Sequence, residues 1–85
     1  MPKKIRILLA DDHAMVRQGF RMILAAQPDM EIVGEAGNGR EAVALADELQ
    51  PDVVVMDVAM PELNGIEATR RITTASPRTR VLALK

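Results

Sequence analysis

Acidic side chains stand at the ends of two apolar segments of this 85-residue chain, and they are its residues best suited to chemistry. Asp11 and Asp12 follow the run 5–10, and Asp57 lies near the end of the run 53–58. If both runs are neighbouring parallel strands, the three carboxylates converge at one end of the sheet, where the strands finish. Like charges at that distance repel, and a hard divalent cation relieves the repulsion. Oxygen ligands with room for retained waters suit Mg²⁺, so the pattern predicts a magnesium site.

Proline residues divide the chain into the elements that must position these carboxylates. Helical periodicity stops at Pro28, Pro51 and Pro77, because proline lacks an amide hydrogen and disfavours a helical residue before it. Apolar segments rich in β-branched residues open the chain and follow each proline. They predict four strands, over residues 5–10, 30–33, 53–58 and 81–84.

Three stretches between the strands have helical spacing. Their apolar positions are Val16, Phe20, Ile23 and Leu24, then Ala42, Leu45, Ala46 and Leu49, then Gly65, Ala68, Thr69 and Ile72. The second and third stretches open with a helix-capping pattern, Asn38 before Glu41 and Asn64 before Glu67.

Strict alternation of short strands and helices predicts an α/β fold with a parallel sheet and right-handed crossovers. A chain of 85 residues allows one domain at most. Only Lys85 follows the fourth predicted strand. A parallel edge strand without a covering helix is an unusual place for a domain to stop, so we expect a partial domain.

The charge balance and residue types exclude several kinds of function. The chain has 11 basic and 12 acidic residues, which gives no basic excess for a nucleic-acid surface. It has no cysteine, and therefore neither disulfides nor a thiolate zinc site. The first apolar run breaks at Asp11, too early for a signal peptide or a membrane span. We therefore expect a cytoplasmic protein without a membrane partner.

The residues after Asp57 make the pattern specific. They continue as Asp-x-x-Met-Pro-x-x-x-Gly, in which Met60, Pro61 and Gly65 are the matching positions. An acidic pair after the first strand, followed by this segment after the third, resembles the receiver domain of bacterial two-component response regulators. The stretch from Ala10 to Gly19 is similar to the LuxR/NarL-type branch of that family, whose output is a helix-turn-helix.

The resemblance implies a flavodoxin-like (CheY-like) open parallel sheet with strand order 2-1-3-4. Residues 1–85 would form a partial receiver domain that lacks the last helix, strand and helix of the full domain. DNA would be contacted only through an output domain outside this chain. The first helix and the fourth-strand edge would stay uncovered, and we expect self-association through one of them.

The resemblance also implies a chemistry. A histidine kinase would phosphorylate Asp57, while Asp11, Asp12, Asp57 and the backbone carbonyl of Ala59 would hold Mg²⁺. The chain would thus be a phosphoacceptor rather than an enzyme.

The remaining family positions concern the loop that follows Asp57 and the conformational change that follows phosphorylation. Met60 and Pro61 would steer the loop away from the site, and Gly65 would permit close packing near it. Lys85 stands where the family has a Thr or Ser, and the family's later Lys has no counterpart. The match therefore implies phosphate acceptance but not the conformational response to it.

Other readings of the same residues remain open. A degenerate receiver would serve only as a protein-interaction or dimerisation module. A dinucleotide site would use Gly37 and Gly39 of a G-x-G-x-x-A match, with Asp57 on the ribose. A haloacid dehalogenase-type hydrolase would require a second Asp where Ala59 stands. His13 could ligate metal, although a place in the first helical turn is favoured.

Overall fold

The computed structural model describes residues 3–57, 60 and 64–84, which alternate strands with helices. The strands are β1 (Ile5–Ala10), β2 (Met30–Ala36), β3 (Val53–Asp57) and β4 (Arg80–Leu84), and the helices are α1 (Ala14–Ala25), α2 (Gly39–Leu49) and α3 (Gly65–Ala75). The predicted order of three strand–helix units and a fourth strand is confirmed. None of these helices is long and apolar enough to cross a bilayer.

The sheet has the order β2-β1-β3-β4, and each neighbouring pair is parallel, as predicted. β1 therefore lies between β2 and β3, and Ala10 pairs with Met56 where both strands end. β2 continues to Ala36, three residues beyond its predicted end, because its last residues still pair with β1. This order places the turn after β1 beside the end of β3.

The core lies between one face of the sheet and the helices α2 and α3. Alternate strand residues point to this face, and they are Leu8, Ala10, Val54 and Met56. The helices contribute Ala42, Ala46, Ala68 and Ile72. Most of these helical residues are alanines, so the helices approach the sheet closely. A methyl group at Gly34 in β2 would lie only 2.8 Å from Leu49 Cδ1.

α1 covers the opposite face, and none of its residues is buried. Four of its apolar residues share one side in the sequence pattern, but only Phe20 and Leu24 are half-buried against the sheet. Val16 is 41% exposed and Ile23 65% exposed. Met15 is exposed by 84%, in agreement with the expectation that the first helix presents apolar surface.

Both predicted helix caps are present. Asn38 Oδ1 accepts a hydrogen bond from the Glu41 amide at 2.9 Å, and Asn64 Oδ1 accepts one from the Glu67 amide at 2.9 Å. Each cap satisfies an amide that the helix itself leaves unpaired, and so sets where the helix begins.

Candidate metal centre

Three carboxylates and one imidazole meet where β1 and β3 end. Asp11, Asp12, His13 and Asp57 each offer one ligand atom, and these atoms lie within 4.8 Å of one another. The sheet order explains the convergence, since β1 and β3 are neighbours and run in the same direction. The structure thus brings together the three acids that the sequence singles out.

Asp11 is held by several hydrogen bonds. It is buried, and its amide donates to the Ala36 carbonyl at 3.0 Å, which extends the β1–β2 pairing by one residue. Its Oδ1 accepts from the His13 amide at 2.8 Å, and its carbonyl oxygen accepts from Arg17 Nη1. Backbone and side chain are therefore both fixed by neighbouring groups.

Asp12 and Asp57 are more open to solvent. The Asp12 side chain is 30% exposed, and Asp57 is half-buried at the last position of β3. One recessed acid and two accessible ones form a shallow acidic site rather than a closed cage. Such a site suits a cation that keeps several of its waters, which is the usual behaviour of Mg²⁺ in proteins.

His13 lies against both neighbouring acids. It is the N-cap residue of α1, and its Nδ1 is 3.0 Å from Asp11 Oδ1 and 3.0 Å from Asp12 Oδ1. The hydrogen bond to Asp11 raises the pKa of His13 above its ordinary value of 6.5, and the charge of Asp12 raises it further. The sequence favours a place in the first helical turn. The residue lies directly before that turn, and its ring also joins the acidic cluster.

The raised pKa of His13 can be measured directly, because the chain contains one histidine. In buffer with EDTA, NMR titration of the imidazole should give a pKa above 6.5. Asp12→Asn should lower that pKa because it removes a nearby negative charge, and Asp47→Asn on the exposed side of α2 should not. The stabilisation by protonated His13 is present below pH 6.5 and is lost as the pH rises through the folded-state pKa. A pKa at or below 6.5 would contradict the geometry.

The remaining predicted site positions are only partly described. Ala59, Pro61 and Lys85 lie outside the described residues. Met60 is buried in the core cluster, and Gly65 is buried at the first position of α3. Both therefore lie in the protein interior.

The geometry argues against a dinucleotide at Gly37 and Gly39. The Gly37 amide donates to Glu41 Oε1 at 2.7 Å, so a carboxylate already takes a group that a pyrophosphate would need. Moreover, β1 separates the glycine-bearing end of β2 from Asp57 on β3. The ribose-binding acid of such a site belongs on the strand next to the glycine turn.

Comparisons with known proteins agree on one family. The model of the response regulator receiver domain matches residues 7–85. The transcriptional regulatory protein YxjL of Bacillus subtilis is 51% identical, over 95% of this chain and 37% of its own length. The response regulator domain of Thermotoga maritima CheB is 48% identical, with a TM-score of 0.90 over 95% of this chain and 60% of that one. A LuxR-family two-component response regulator from Aurantimonas is 42% identical, with a TM-score of 0.89 over 95% of this chain and 58% of that one.

Proposed function

The chain belongs to the response regulator receiver domain family, in its LuxR/NarL-type branch, and from this premise we propose that Asp57 accepts a phosphoryl group from a histidine kinase. Residues 1–85 would then form part of the receiver domain of a transcriptional regulator, acting as a cytoplasmic signalling module rather than as an enzyme. The chain spans 37% of the length of its curated relative YxjL. As part of the proposal, DNA would be bound only through an output domain outside residues 1–85.

One observation carries the proposal: Asp57 shares a cluster with Asp11 and Asp12 in which the ligand atoms lie within 4.8 Å. A single Asp at a strand end is commonly a capping residue. Acids that meet at the carboxyl ends of two neighbouring parallel strands are instead the arrangement expected of a ligand site.

The proposed reaction is a direct transfer. A carboxylate oxygen of Asp57 attacks the phosphorus of a phosphohistidine, an oxygen–phosphorus bond forms, and the nitrogen–phosphorus bond breaks. The products are an acyl phosphate on Asp57 and the released imidazole of the kinase. Asp57 is suited to this role because the last position of β3 leaves it half-buried and still reachable.

We also propose that Asp11, Asp12 and Asp57 bind Mg²⁺, together with the backbone carbonyl of Ala59. All the donor atoms are oxygens, and Asp12 is partly exposed, which fits a cation that retains waters. Bound Mg²⁺ supplies charge neutralisation at the phosphoryl oxygens. The protein's own part is to hold the acids in place, with Asp11 fixed through its amide, carbonyl and carboxylate.

The test is the intact mass of the chain after incubation with acetyl phosphate, with and without Mg²⁺. We expect a phosphoryl adduct that requires Mg²⁺, survives acid, is lost in base and is absent from Asp57→Asn. Asp47→Asn removes the same charge from the exposed side of α2 and should still form the adduct. A folded wild-type chain that forms no adduct would contradict the proposal.

The same samples decide the alternative of a degenerate receiver that only mediates contacts between proteins. Exposed apolar side chains on α1 and β4 support self-association, through the helix face with Met22 (68%) and Ile23 (65%) or the strand edge with Leu82 (57%). Light scattering measures the association. A chain that associates but forms no adduct would be the interaction module.

A further inference from the structure

We propose that Arg17 is a positioning residue of the acidic site, which it orders through the backbone carbonyl of Asp11. The inference rests on the proposed function, because the site that Arg17 would order is the proposed magnesium and phosphoryl site.

Arg17 connects three elements through one side chain. It lies in α1, six residues after Asp11, and its Nη1 donates to the Asp11 carbonyl at the end of β1. Its Nε donates to Glu35 Oε1 on β2 at 3.2 Å. The side chain is only 22% exposed and Glu35 26% exposed, so solvent screens these contacts less than a pair on the open surface. A planar guanidinium can meet both acceptors at once, and a point charge cannot.

The Asp11 carbonyl matters because it belongs to the peptide unit that leads into Asp12. The amide of Asp11 is held by Ala36 and its carboxylate by the His13 amide. Arg17 holds the remaining group of Asp11 and so sets the plane of the peptide between the two acids. Rotation of that plane would change the direction in which the Asp12 side chain projects from the backbone.

α1 depends on such contacts more than the other two helices do. None of its residues is buried, whereas α2 and α3 each contribute buried residues to the core. Apolar packing therefore does little to hold the helix start that follows the acidic turn. The hydrogen bonds of Arg17 secure the turn and the helix at the same point.

Arg21 provides a matched control. It lies one turn further along α1, and its Nη1 donates to Glu35 Oε2 at 2.5 Å, so both arginines share one carboxylate. The Asp11 carbonyl, however, accepts from Arg17. Replacing either arginine removes one positive charge and one ion pair to Glu35, but only Arg17→Met frees the turn.

Whether the substitution of Arg17 tightens or weakens Mg²⁺ binding distinguishes a positioning role from a simple effect of charge. Removing a positive charge near a cation site should by itself tighten Mg²⁺ binding. If Arg17 orders the turn, Arg17→Met should instead weaken Mg²⁺ binding, by about 10-fold, the scale of losing an outer partner of a metal ligand. Arg17→Lys keeps the charge but lacks the planar fork, and should weaken binding as well.

The experiment is calorimetric titration of the whole chain with MgCl₂, with urea unfolding of every variant beside it. We expect Arg17→Met and Arg17→Lys to weaken Mg²⁺ binding, and Arg21→Met to bind as the wild type does. If Arg17→Met folds poorly, Arg17→Lys carries the test, because it keeps the positive charge and loses only the planar fork. Acetyl phosphate rates should show a higher Mg²⁺ requirement in the Arg17 variants, with a largely restored rate at saturating Mg²⁺.

Two results would overturn the positioning role while the proposed function stands. One is unchanged or tighter Mg²⁺ binding by folded Arg17→Met, and the other is equal weakening by Arg17→Met and Arg21→Met. A wild-type chain that neither binds Mg²⁺ nor forms the adduct would overturn the proposed function, and the positioning role with it.

Discussion

Leu8→Ala is expected to destabilise the chain by about 2–5 kcal/mol, the usual range for a fully buried leucine. Leu8 is 0% exposed in the central strand β1 and belongs to the core cluster with the α2 and α3 residues. At about 0.05–0.15 kcal/mol per residue, a chain of 85 residues has only about 4–13 kcal/mol of stability in total. The substitution should therefore remove a large share of it.

Urea unfolding followed by far-ultraviolet circular dichroism measures this loss. Leu82→Ala in β4 is the matched control, since the chemical change is the same and Leu82 is 57% exposed. It should alter the free energy of unfolding by no more than about 0.5 kcal/mol. Equal losses in both variants would show that the core does not lie between the sheet and the helices α2 and α3.

Asp12→Asn is expected to lower the rate of phosphorylation by acetyl phosphate by about 100-fold or more when Mg²⁺ is limiting. Loss of an outer partner alone costs about 10–100-fold in metal affinity, and Asp12 is proposed as a direct ligand. The amide that replaces it keeps the size of the side chain but removes one of the three negative charges in the cluster. The cation then loses both a ligand and part of its electrostatic attraction.

The rate of adduct formation over a series of Mg²⁺ concentrations measures the effect. If Asp12 acts through Mg²⁺, the concentration needed for half-maximal rate should rise, and high Mg²⁺ should restore part of the rate. Asp47→Asn carries the same charge change on the exposed side of α2 and should behave as the wild type does. An unchanged Mg²⁺ requirement in Asp12→Asn would show that Asp12 is not a ligand of the metal.

The boundaries of the elements were largely predictable from local sequence. Prolines end the helical stretches, and Asn38 and Asn64 cap α2 and α3 as their spacing to Glu41 and Glu67 predicts. These signals are local, because a cap or a proline acts within about one helical turn. The end of β2 was missed because its last residues are strand only through pairing with β1.

The contacts around the acids were not predictable in the same way. The pattern of α1 places Phe20 and Ile23 on one helix side, but it does not indicate that one is half-buried and the other 65% exposed. Nor does it show that the His13 ring lies between two carboxylates or that Arg17 binds Glu35. Arg17 and Glu35 are 18 residues apart, and they meet because α1 crosses back over the edge of the sheet.

The sequence by itself determined the alternation of strands and helices, the types of residue at the strand ends and the family resemblance they carry. These properties depend on residue type and on short periodic spacings. The resemblance also implied the strand order β2-β1-β3-β4, which the structure confirms. Only the tertiary structure decided that the His13 ring joins the acids and that Arg17 holds the turn between Asp11 and Asp12. The reason is physical: such contacts join residues far apart in the chain, and strand pairing and helix docking set their distances.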